Sequence, residues 1–242
     1  MTPQEQLSVV LLPGIDGTGQ MFEPLIRQLP AWMTPQVLDY PTQETLSYAE
    51  LTERLYPRLP TDTPFVIVAE SFAGPLALLL SKKGHPQLRA LVLCATFVRN
   101  PRPWLSTLAP LVLHEGLLAQ PPRRWMARWF VTGNDIADAM LDKALALHER
   151  VAPRVSLQRL QAVLNVDVRQ LYRDCGLPLL HLYARHDRLI GGHPSREMQR
   201  LRPEVPSVEI DGPHFLLQAR PAQCYNVIET FIRANVVPEK AG

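Results

Sequence analysis

Six short runs of apolar residues recur along the chain, and turn residues such as Pro, Gly, Asp and Asn bound most of them. The runs are nearly continuous and do not alternate with polar residues, which is typical of parallel strands covered on both faces. The predicted strands are residues 7–12, 37–40, 65–69, 88–95, 179–184 and 205–210. Helical spacing of apolar residues lies between them, at residues 21–29, 48–59, 72–83, 195–201 and 221–234.

Strand and helix alternate, which favours right-handed crossovers and an open, doubly wound α/β sheet. The alternation is interrupted once, from residue 97 to 174, where only helical periodicity is found. The helices predicted there are residues 127–130, 136–147 and 157–171. We therefore predict a core formed by residues 1–96 and 175–242, with an all-helical insertion at residues 97–174.

Composition narrows the class of protein. Of the 242 residues, 46% are hydrophobic and 20% are charged, as in folded globular chains. The formal net charge of +2 does not predict a nucleic acid or an anionic membrane as partner. Cys94, Cys175 and Cys224 are widely spaced, which favours a reducing compartment. We find no signal peptide and no apolar run of about 18 residues, so we expect a cytoplasmic protein without a membrane span, monomeric or weakly dimeric.

The strongest local signal for chemistry is Ser71, which follows the third predicted strand and precedes a helix. Strand, sharp turn and helix form the context of a nucleophile elbow, in which a strained serine exposes its Oγ. Ala69 and Ala73 occupy the flanking positions, which need small residues and are usually glycine. Ser71 has a second interpretation as the N-cap of the helix at 72–83, because serine is a favoured N-cap residue.

A carboxylate and a base follow at later strand ends. A serine nucleophile needs a base to remove its proton and a carboxylate to orient that base. Asp187 lies just after the strand at 179–184, and His214 follows the strand at 205–210. Alone, Asp187 would more often be a surface turn residue and His214 a helix-start residue. Ligand sites in open α/β sheets lie at the carboxyl ends of the strands, so we expect all three side chains to converge.

A glycine-rich segment at residues 14–19 follows the first strand. Such a turn lets the backbone approach a ligand closely, so the predicted oxyanion donors are the N–H of Ile15 and that of Phe72, the residue after the serine. The spacing of the glycines also suits a phosphate-binding loop, but Gln20 and Met21 stand where Lys and Ser or Thr are needed. A dinucleotide-binding fingerprint lacks its third glycine here.

Together these motifs resemble the α/β-hydrolase superfamily over residues 7–235. The matching segments are residues 13–14 after the first strand, 69–74 at the elbow, 184–190 at the acid loop and 212–215 at the histidine loop. The resemblance implies a minimal six-stranded, mostly parallel sheet flanked by helices, with the helical insertion as a lid. Residues 12–19 are similar to the esterase, lipase and thioesterase group that includes plant phytyl ester synthases. The short, lidded chain also resembles pimeloyl carrier-protein methyl esterases.

The mechanism that the resemblance implies is acyl transfer through an acyl-enzyme. His214 takes the proton of Ser71, Asp187 stays ionised, and the Ile15 and Phe72 amides hold the oxyanion. Water then releases the acyl group, and neither a metal nor an organic cofactor is needed. We therefore expect a serine esterase acting on a carboxylic ester with a small or medium acyl group. The residues expected to contact this substrate are Asp16, Glu70, Trp104, Leu108, Trp125 and Trp129.

Other functions stay open at this point. A thioesterase, an acyltransferase, a lyase or a cofactor-free oxygenase would use a similar triad, and an inactive relative would bind a small molecule. Residues 97–130 hold five arginines and one acid, a local net charge of +4 that would suit an acidic acyl carrier protein. Solvated arginines are the more common case. The five are Arg99, Arg102, Arg123, Arg124 and Arg128.

Overall fold

The computed structural model describes residues 6–103, 115–118, 122–133 and 136–236. Six strands form one sheet in the order β2-β1-β3-β4-β5-β6, and every neighbouring pair is parallel. The strands are β1 (Leu7–Leu12), β2 (Met33–Val37), β3 (Phe65–Glu70), β4 (Leu88–Cys94), β5 (Leu179–Ala184) and β6 (Ser207–Ile210). The predicted α/β class with a six-stranded sheet is confirmed.

Both faces of the sheet are buried, which explains the unbroken apolar runs of its inner strands. In β3, Phe65, Ile67 and Ala69 belong to the hydrophobic cluster on one face. Val66 and Val68 belong to the cluster on the other face. Successive side chains of a strand point to opposite faces, so one strand contributes to two cores.

The second strand lies earlier than the sequence predicts, at Met33–Val37 instead of residues 37–40. It is an edge strand, and an edge tolerates Pro35, which is the register partner of Val9 in β1. Leu38 is buried and donates its N–H to a β1 carbonyl at 3.1 Å. The apolar run at residues 37–40 therefore lies at the buried end of the segment that contains β2, and most of it follows the strand.

Helices cover both faces of the sheet. The described helices are α1 (Glu23–Ile26), α2 (Tyr48–Leu55), α3 (Ala73–Lys82), α4 (Glu115–Leu118), α5 (Arg124–Ala127), α6 (Asp138–Glu149), α7 (Pro153–Asn165), α8 (Arg169–Asp174), α9 (His193–Leu201), α10 (Leu216–Ala219) and α11 (Pro221–Asn235). Among these described helices, none has the length and the apolar character that crossing a bilayer requires.

Four predicted helices differ from those observed. The helix predicted at residues 157–171 is divided into α7 and α8, because residues 166–168 are not helical. The helix predicted at residues 21–29 is a 3₁₀ turn, Gln20–Phe22, followed by the short α1. The helix at 48–59 ends at Leu55 and continues as a 3₁₀ turn containing Pro57, because proline cannot donate the next helical hydrogen bond. The helix at 127–130 is a π-helical turn, Arg128–Thr132, that continues α5.

The described part of the insertion between β4 and β5 is helical and comprises α4 to α8. Its last helix packs with the core, because Tyr172 of α8 is fully buried in the same hydrophobic cluster as residues of α2 and α3. The domain boundaries given above for the core and the insertion stay a prediction.

The position of the site follows from the strand order. β2 lies on one side of β1 and β3 on the other, so the order of connection switches beside β1. In open α/β sheets, ligands bind at such a switch point, outside the carboxyl ends of the strands. Leu12 and Ala69 are register partners, so the glycine-rich loop at residues 13–19 and Ser71 emerge side by side.

Candidate active site

Ser71 occupies a strained turn between β3 and α3. Its φ of 54° lies in the left-handed region that residues other than glycine rarely adopt. Its N–H donates to the carbonyl of Cys94 at 2.9 Å, and its carbonyl accepts from the N–H of Gly74 at 3.1 Å. Such a conformation persists only where its surroundings hold it, and it is concentrated at functional sites.

Gly74 is a position in this turn with no room for a side chain. A Cβ at Gly74 would lie 2.7 Å from Thr96 Cγ2 and closer still to its hydroxyl. That hydroxyl donates to the carbonyl of Ser71, which restricts how far Thr96 can move away. Ala69 and Ala73 are fully buried, so the fold accommodates alanine at the two flanks where the resemblance suggests glycine.

The side chain of Ser71 contacts His214, which follows β6. Ser71 Oγ lies 2.9 Å from His214 Nε2, and His214 Nδ1 lies 2.7 Å from Asp187 Oδ2. No side-chain hydrogen bond caps the N-terminus of α3, so the interpretation of Ser71 as an N-cap is wrong. The ends of β3, β5 and β6 thus bring three side chains into one hydrogen-bonded series.

Asp187 is itself held by the backbone of its loop. Its Oδ1 accepts from the N–H groups of Leu189 at 3.0 Å and Ile190 at 2.9 Å. Its Oδ2 is thereby oriented toward His214, and both side chains are almost completely buried. The carboxylate therefore fixes the imidazole ring from a position that is itself fixed.

The surroundings of His214 raise its affinity for a proton. Burial alone would lower the pKa of His214, but the charge of Asp187 and its hydrogen bond outweigh burial, with a further contribution from Glu70. The net result is a pKa raised above the ordinary value of 6.5. A more basic imidazole is a better acceptor for the hydroxyl proton of Ser71 when it is neutral.

The two predicted oxyanion donors lie at the same edge of the sheet. A Cβ at Gly14 would lie 3.8 Å from Ser71 Cβ, so the loop after β1 runs beside the nucleophile. Within the described ranges, neither the N–H of Ile15 nor that of Phe72 donates a hydrogen bond to a protein group. Both donors are therefore free to bind an oxygen atom of a ligand.

Two buried tyrosines hold the backbone around these donors. Tyr40 donates its hydroxyl to the carbonyl of Pro13 at 3.0 Å, and Tyr48 donates to the carbonyl of Phe72 at 2.9 Å. The Tyr48 ring also stacks on Phe72, with ring centroids 4.6 Å apart. These roles are not visible in the sequence, because each tyrosine looks like an ordinary core residue and its acceptor lies more than twenty positions away.

A cavity of about 160 Å³ opens beside Ser71 and His214. Ile15, Asp16 and Glu70 line it from the core. The insertion contributes mainly apolar side chains, among them Ala127, Val131, Leu141, Ala144, Leu145 and Leu147. The cavity is therefore mainly apolar, and its polar lining groups include Thr132 and His148 of the insertion as well as those of the core.

Glu70 is a buried carboxyl group directly before Ser71. Its Oε2 accepts from Gln218 Nε2 at 3.2 Å, and its Oε1 has no hydrogen-bond partner among the described residues. Burial raises the pKa of Glu70 to about 7, against the opposing effects of the Gln218 hydrogen bond and the charge of His214. Near neutral pH this group is accordingly divided between its protonated and ionised forms.

The predicted substrate contacts have different outcomes. Asp16 and Glu70 line the cavity. Asp16 also accepts from the N–H and the hydroxyl of Thr18, which stabilises the turn of its loop. Trp104 and Leu108 lie outside the described residues.

The structure does not bring Trp125 and Trp129 to the cavity. They are 63% and 55% exposed on the outer surface. Residues four apart share a face of a helix, and here the face that lines the cavity carries Ala127 and Val131 instead. The apolar character of the segment is visible in the sequence, but the orientation of the helix is set by its packing.

Salt bridges neutralise part of the predicted positive patch. Arg99 pairs with Glu197 at 2.7 Å, and both Arg124 and Arg128 pair with Asp138. The charge that the sequence suggests for this surface is therefore smaller in the folded protein. Docking of an acyl carrier protein there stays a prediction. Within the described part of the chain, no three or more His, Cys, Asp or Glu side chains are grouped so that they could hold a metal ion.

Comparison with known families identifies the class of protein. Residues 9–227 match the alpha/beta hydrolase family, so the chain belongs to that family of hydrolases. The predicted resemblance to the α/β-hydrolase superfamily is confirmed. A comparison with curated protein sequences finds no significant match.

Solved structures share the fold over almost the whole chain. MenH from S. aureus is 15% identical, with 96% of each chain covered and a TM-score of 0.79. The enol-lactonase from Burkholderia xenovorans LB400 is 17% identical, with 96% of this chain and 94% of that chain covered and a TM-score of 0.76. A thermophilic esterase from Thermogutta terrifontis, with malate bound, is 18% identical, with 96% and 91% covered and a TM-score of 0.74. At these identities the likeness shows the fold alone.

Proposed function

We propose that this protein is a serine esterase that cleaves a carboxylic ester through an acyl-enzyme. The observation that carries the proposal is the series of hydrogen bonds from Ser71 Oγ to His214 Nε2 at 2.9 Å and from His214 Nδ1 to Asp187 Oδ2 at 2.7 Å. The first distance permits direct proton transfer from Ser71 to His214, and the second lets Asp187 orient the base. The series opens onto an apolar cavity, where an acyl group has room to bind.

In the first half of the reaction, Ser71 Oγ attacks the carbonyl carbon of the ester while His214 takes the hydroxyl proton. The electron pair of the carbonyl π bond moves onto its oxygen. When the tetrahedral intermediate collapses, the C–O bond to the alcohol breaks, and the imidazolium donates its proton to the leaving oxygen. A water molecule then repeats these steps on the acyl-enzyme and releases the acid.

The remaining groups stabilise charge. Asp187 stays ionised, fixes the tautomer of His214 and stabilises the imidazolium. The N–H groups of Ile15 and Phe72 supply the oxyanion donors, since neither donates a hydrogen bond to any of the described residues.

The lining of the cavity supports an ester with a small or medium apolar acyl group. Two of the similar structures are described as an esterase and an enol-lactonase, which is in keeping with this proposal. The cytoplasmic location expected from the sequence is part of the same proposal.

The proposal is tested by reacting the protein with a fluorophosphonate and measuring its intact mass. We expect one adduct on the wild type and none on Ser71→Ala. Ser81→Ala is the matched control, because Ser81 Oγ donates to the Leu78 carbonyl within α3 and lies outside the lining of the active-site cavity. An adduct that persists in Ser71→Ala would contradict the assignment of the nucleophile.

Turnover gives the second arm of this test. With 4-nitrophenyl butyrate as the probe, Ser71→Ala should lose about 10⁴-fold or more in kcat, because nucleophile, base and orienting acid act as a unit. Circular dichroism should show that the variant remains folded. A folded Ser71→Ala that keeps wild-type turnover would overturn the proposed function.

A further inference from the structure

Arg159 is a buried cation that the insertion directs into the core. It lies on α7 and is only 2% exposed. Val155 and Ser156, one turn earlier on the same face, are buried as well. Among the described residues, no carboxylate forms an ion pair with Arg159, so its guanidinium is held in another way.

Three backbone carbonyls accept the hydrogen bonds of Arg159. Its Nη1 donates to Ile15 at 2.7 Å and to Asp16 at 2.9 Å, and its Nη2 donates to Pro41 at 2.9 Å. The planar fork of a guanidinium suits several fixed acceptors at once. Two of these acceptors belong to the loop that carries the proposed oxyanion donor.

The loop is shaped around the guanidinium. Gly17 has a φ of 74°, and a Cβ there would lie 2.7 Å from Arg159 Nη1. The ring of Tyr40 lies 5.6 Å from the guanidinium carbon, within the range of a cation–π interaction. Tyr40 also donates its N–H to the carbonyl of Gly17 at 2.7 Å. Loop, ring and cation therefore form one packed unit.

We infer that Arg159 is a positioning residue that holds the Ile15 N–H in place for the oxyanion. A peptide group is planar, so holding the carbonyls of Ile15 and Asp16 fixes the two peptide planes on either side of the Asp16 Cα. The second of these planes carries the Gly17 N–H, which donates to the Gly14 carbonyl at 3.1 Å. That carbonyl shares its peptide plane with the Ile15 N–H, so the turn that Arg159 holds also orients the donor. Oxyanion donors act because they are oriented before the reaction begins. This inference rests on the proposed function, and it makes α7 of the insertion a part of the catalytic apparatus of the core.

The test compares three variants with 4-nitrophenyl butyrate as the probe. Arg159→Met removes the donors but keeps an unbranched side chain, and Arg159→Lys keeps the charge with fewer fixed donors. Arg154→Met is the matched control, because Arg154 lies on the same helix and donates to the carbonyl of Gln43 at 2.9 Å without touching the loop at residues 13–19.

Arg159→Met should lower kcat roughly 10- to 100-fold, somewhat less than the loss of an oxyanion donor itself. KM should stay within about threefold, because the donor acts mainly on the transition state. Arg159→Lys should recover part of the loss, and Arg154→Met should stay within about twofold of the wild type.

Butylboronic acid provides a readout that a purely structural role would not move. Its trigonal boron accepts an electron pair of Ser71 Oγ as a fourth ligand, the hydroxyl proton passes to His214, and one of the boronate oxygens then occupies the oxyanion position. In Arg159→Met, the inhibition constant of the boronic acid should rise by about the same factor as kcat/KM falls. Unchanged boronate affinity together with unchanged kcat would overturn the inference.

The outcomes separate this inference from the proposed function. If the wild type is neither labelled nor active, or if Ser71→Ala stays active, both fail. If the wild type is active but Arg159→Met matches it, or if Arg154→Met loses as much, only the inference fails. Should Arg159→Met not fold, Arg159→Lys decides: reduced kcat at unchanged KM supports the inference, and wild-type kcat with wild-type boronate affinity overturns it.

Discussion

At the scale of single residues, Glu70 links the site to the stability of the fold. Its pKa is raised to about 7, whereas a glutamate in an unfolded chain titrates near 4.5. Between these values the folded protein keeps a proton that the unfolded chain has lost. The free energy of unfolding therefore falls as the pH rises through this window, and the penalty is complete above the folded pKa.

Glu70→Gln removes this titration and retains an acceptor oxygen for Gln218. We compare the free energy of unfolding of the variant with that of the wild type at each pH. This difference should favour the variant by on the order of 3 kcal/mol more at pH 8 than at pH 4. Urea denaturation at the two pH values measures the difference. The same substitution at the exposed Glu149 is the control for replacing a glutamate by glutamine. A gain for Glu70→Gln that is equal at both pH values would mean that Glu70 does not change charge in this window.

At the scale of elements, the junction between β3 and α3 depends on the contact of Gly74 with Thr96. Gly74→Ala should lower the free energy of unfolding by about 2 kcal/mol, since overpacking forces the backbone to shift. It should also slow fluorophosphonate labelling of Ser71 by more than tenfold, because the elbow carries the nucleophile. Denaturation measures the change in the free energy of unfolding, and timed intact-mass analysis measures the labelling rate.

Gly176→Ala is the control for this contact, because no atom of the described residues lies within 4 Å of the position that its Cβ would take. We expect its stability to stay within about 0.5 kcal/mol of the wild type. Adding Thr96→Ala to Gly74→Ala should restore part of the labelling rate. Wild-type labelling and stability in Gly74→Ala would show that the turn tolerates a Cβ.

At the scale of the whole molecule, the cavity exists only where the core and the insertion face each other. Ala144 of α6 lines it, and Ala144→Phe should shorten the space for an acyl chain. We expect kcat/KM for 4-nitrophenyl octanoate to fall at least about tenfold relative to the acetate, because each methylene excluded from an apolar pocket carries a measurable cost.

Ala146→Phe, on the exposed face of the same helix, is the control and should leave the ratio of the two esters unchanged. If Ala144→Phe reduced turnover of both esters equally, the substituted side chain would be disturbing the catalytic groups rather than limiting the acyl chain. Steady-state kinetics over a series of chain lengths distinguishes these results.

Much of the fold could be predicted because inner strands of a parallel sheet leave continuous apolar runs. β2 could not, since an edge strand with Pro35 needs no such run. The tryptophans of α5 and its π-helical turn show the same limit for helices. Their apolar character is local, whereas the face turned to the cavity depends on how the helix packs.

By itself, the sequence determined the order of strands and helices and the positions of Ser71, Asp187 and His214 at strand ends. Strand, turn and helix patterns are local, so these features can be predicted from residues that are neighbours in the sequence. Only the tertiary structure decided which side chains meet. The bond from Arg159 to Ile15 joins positions 144 residues apart, and a charged residue on a buried helix face predicts that a partner exists without identifying it.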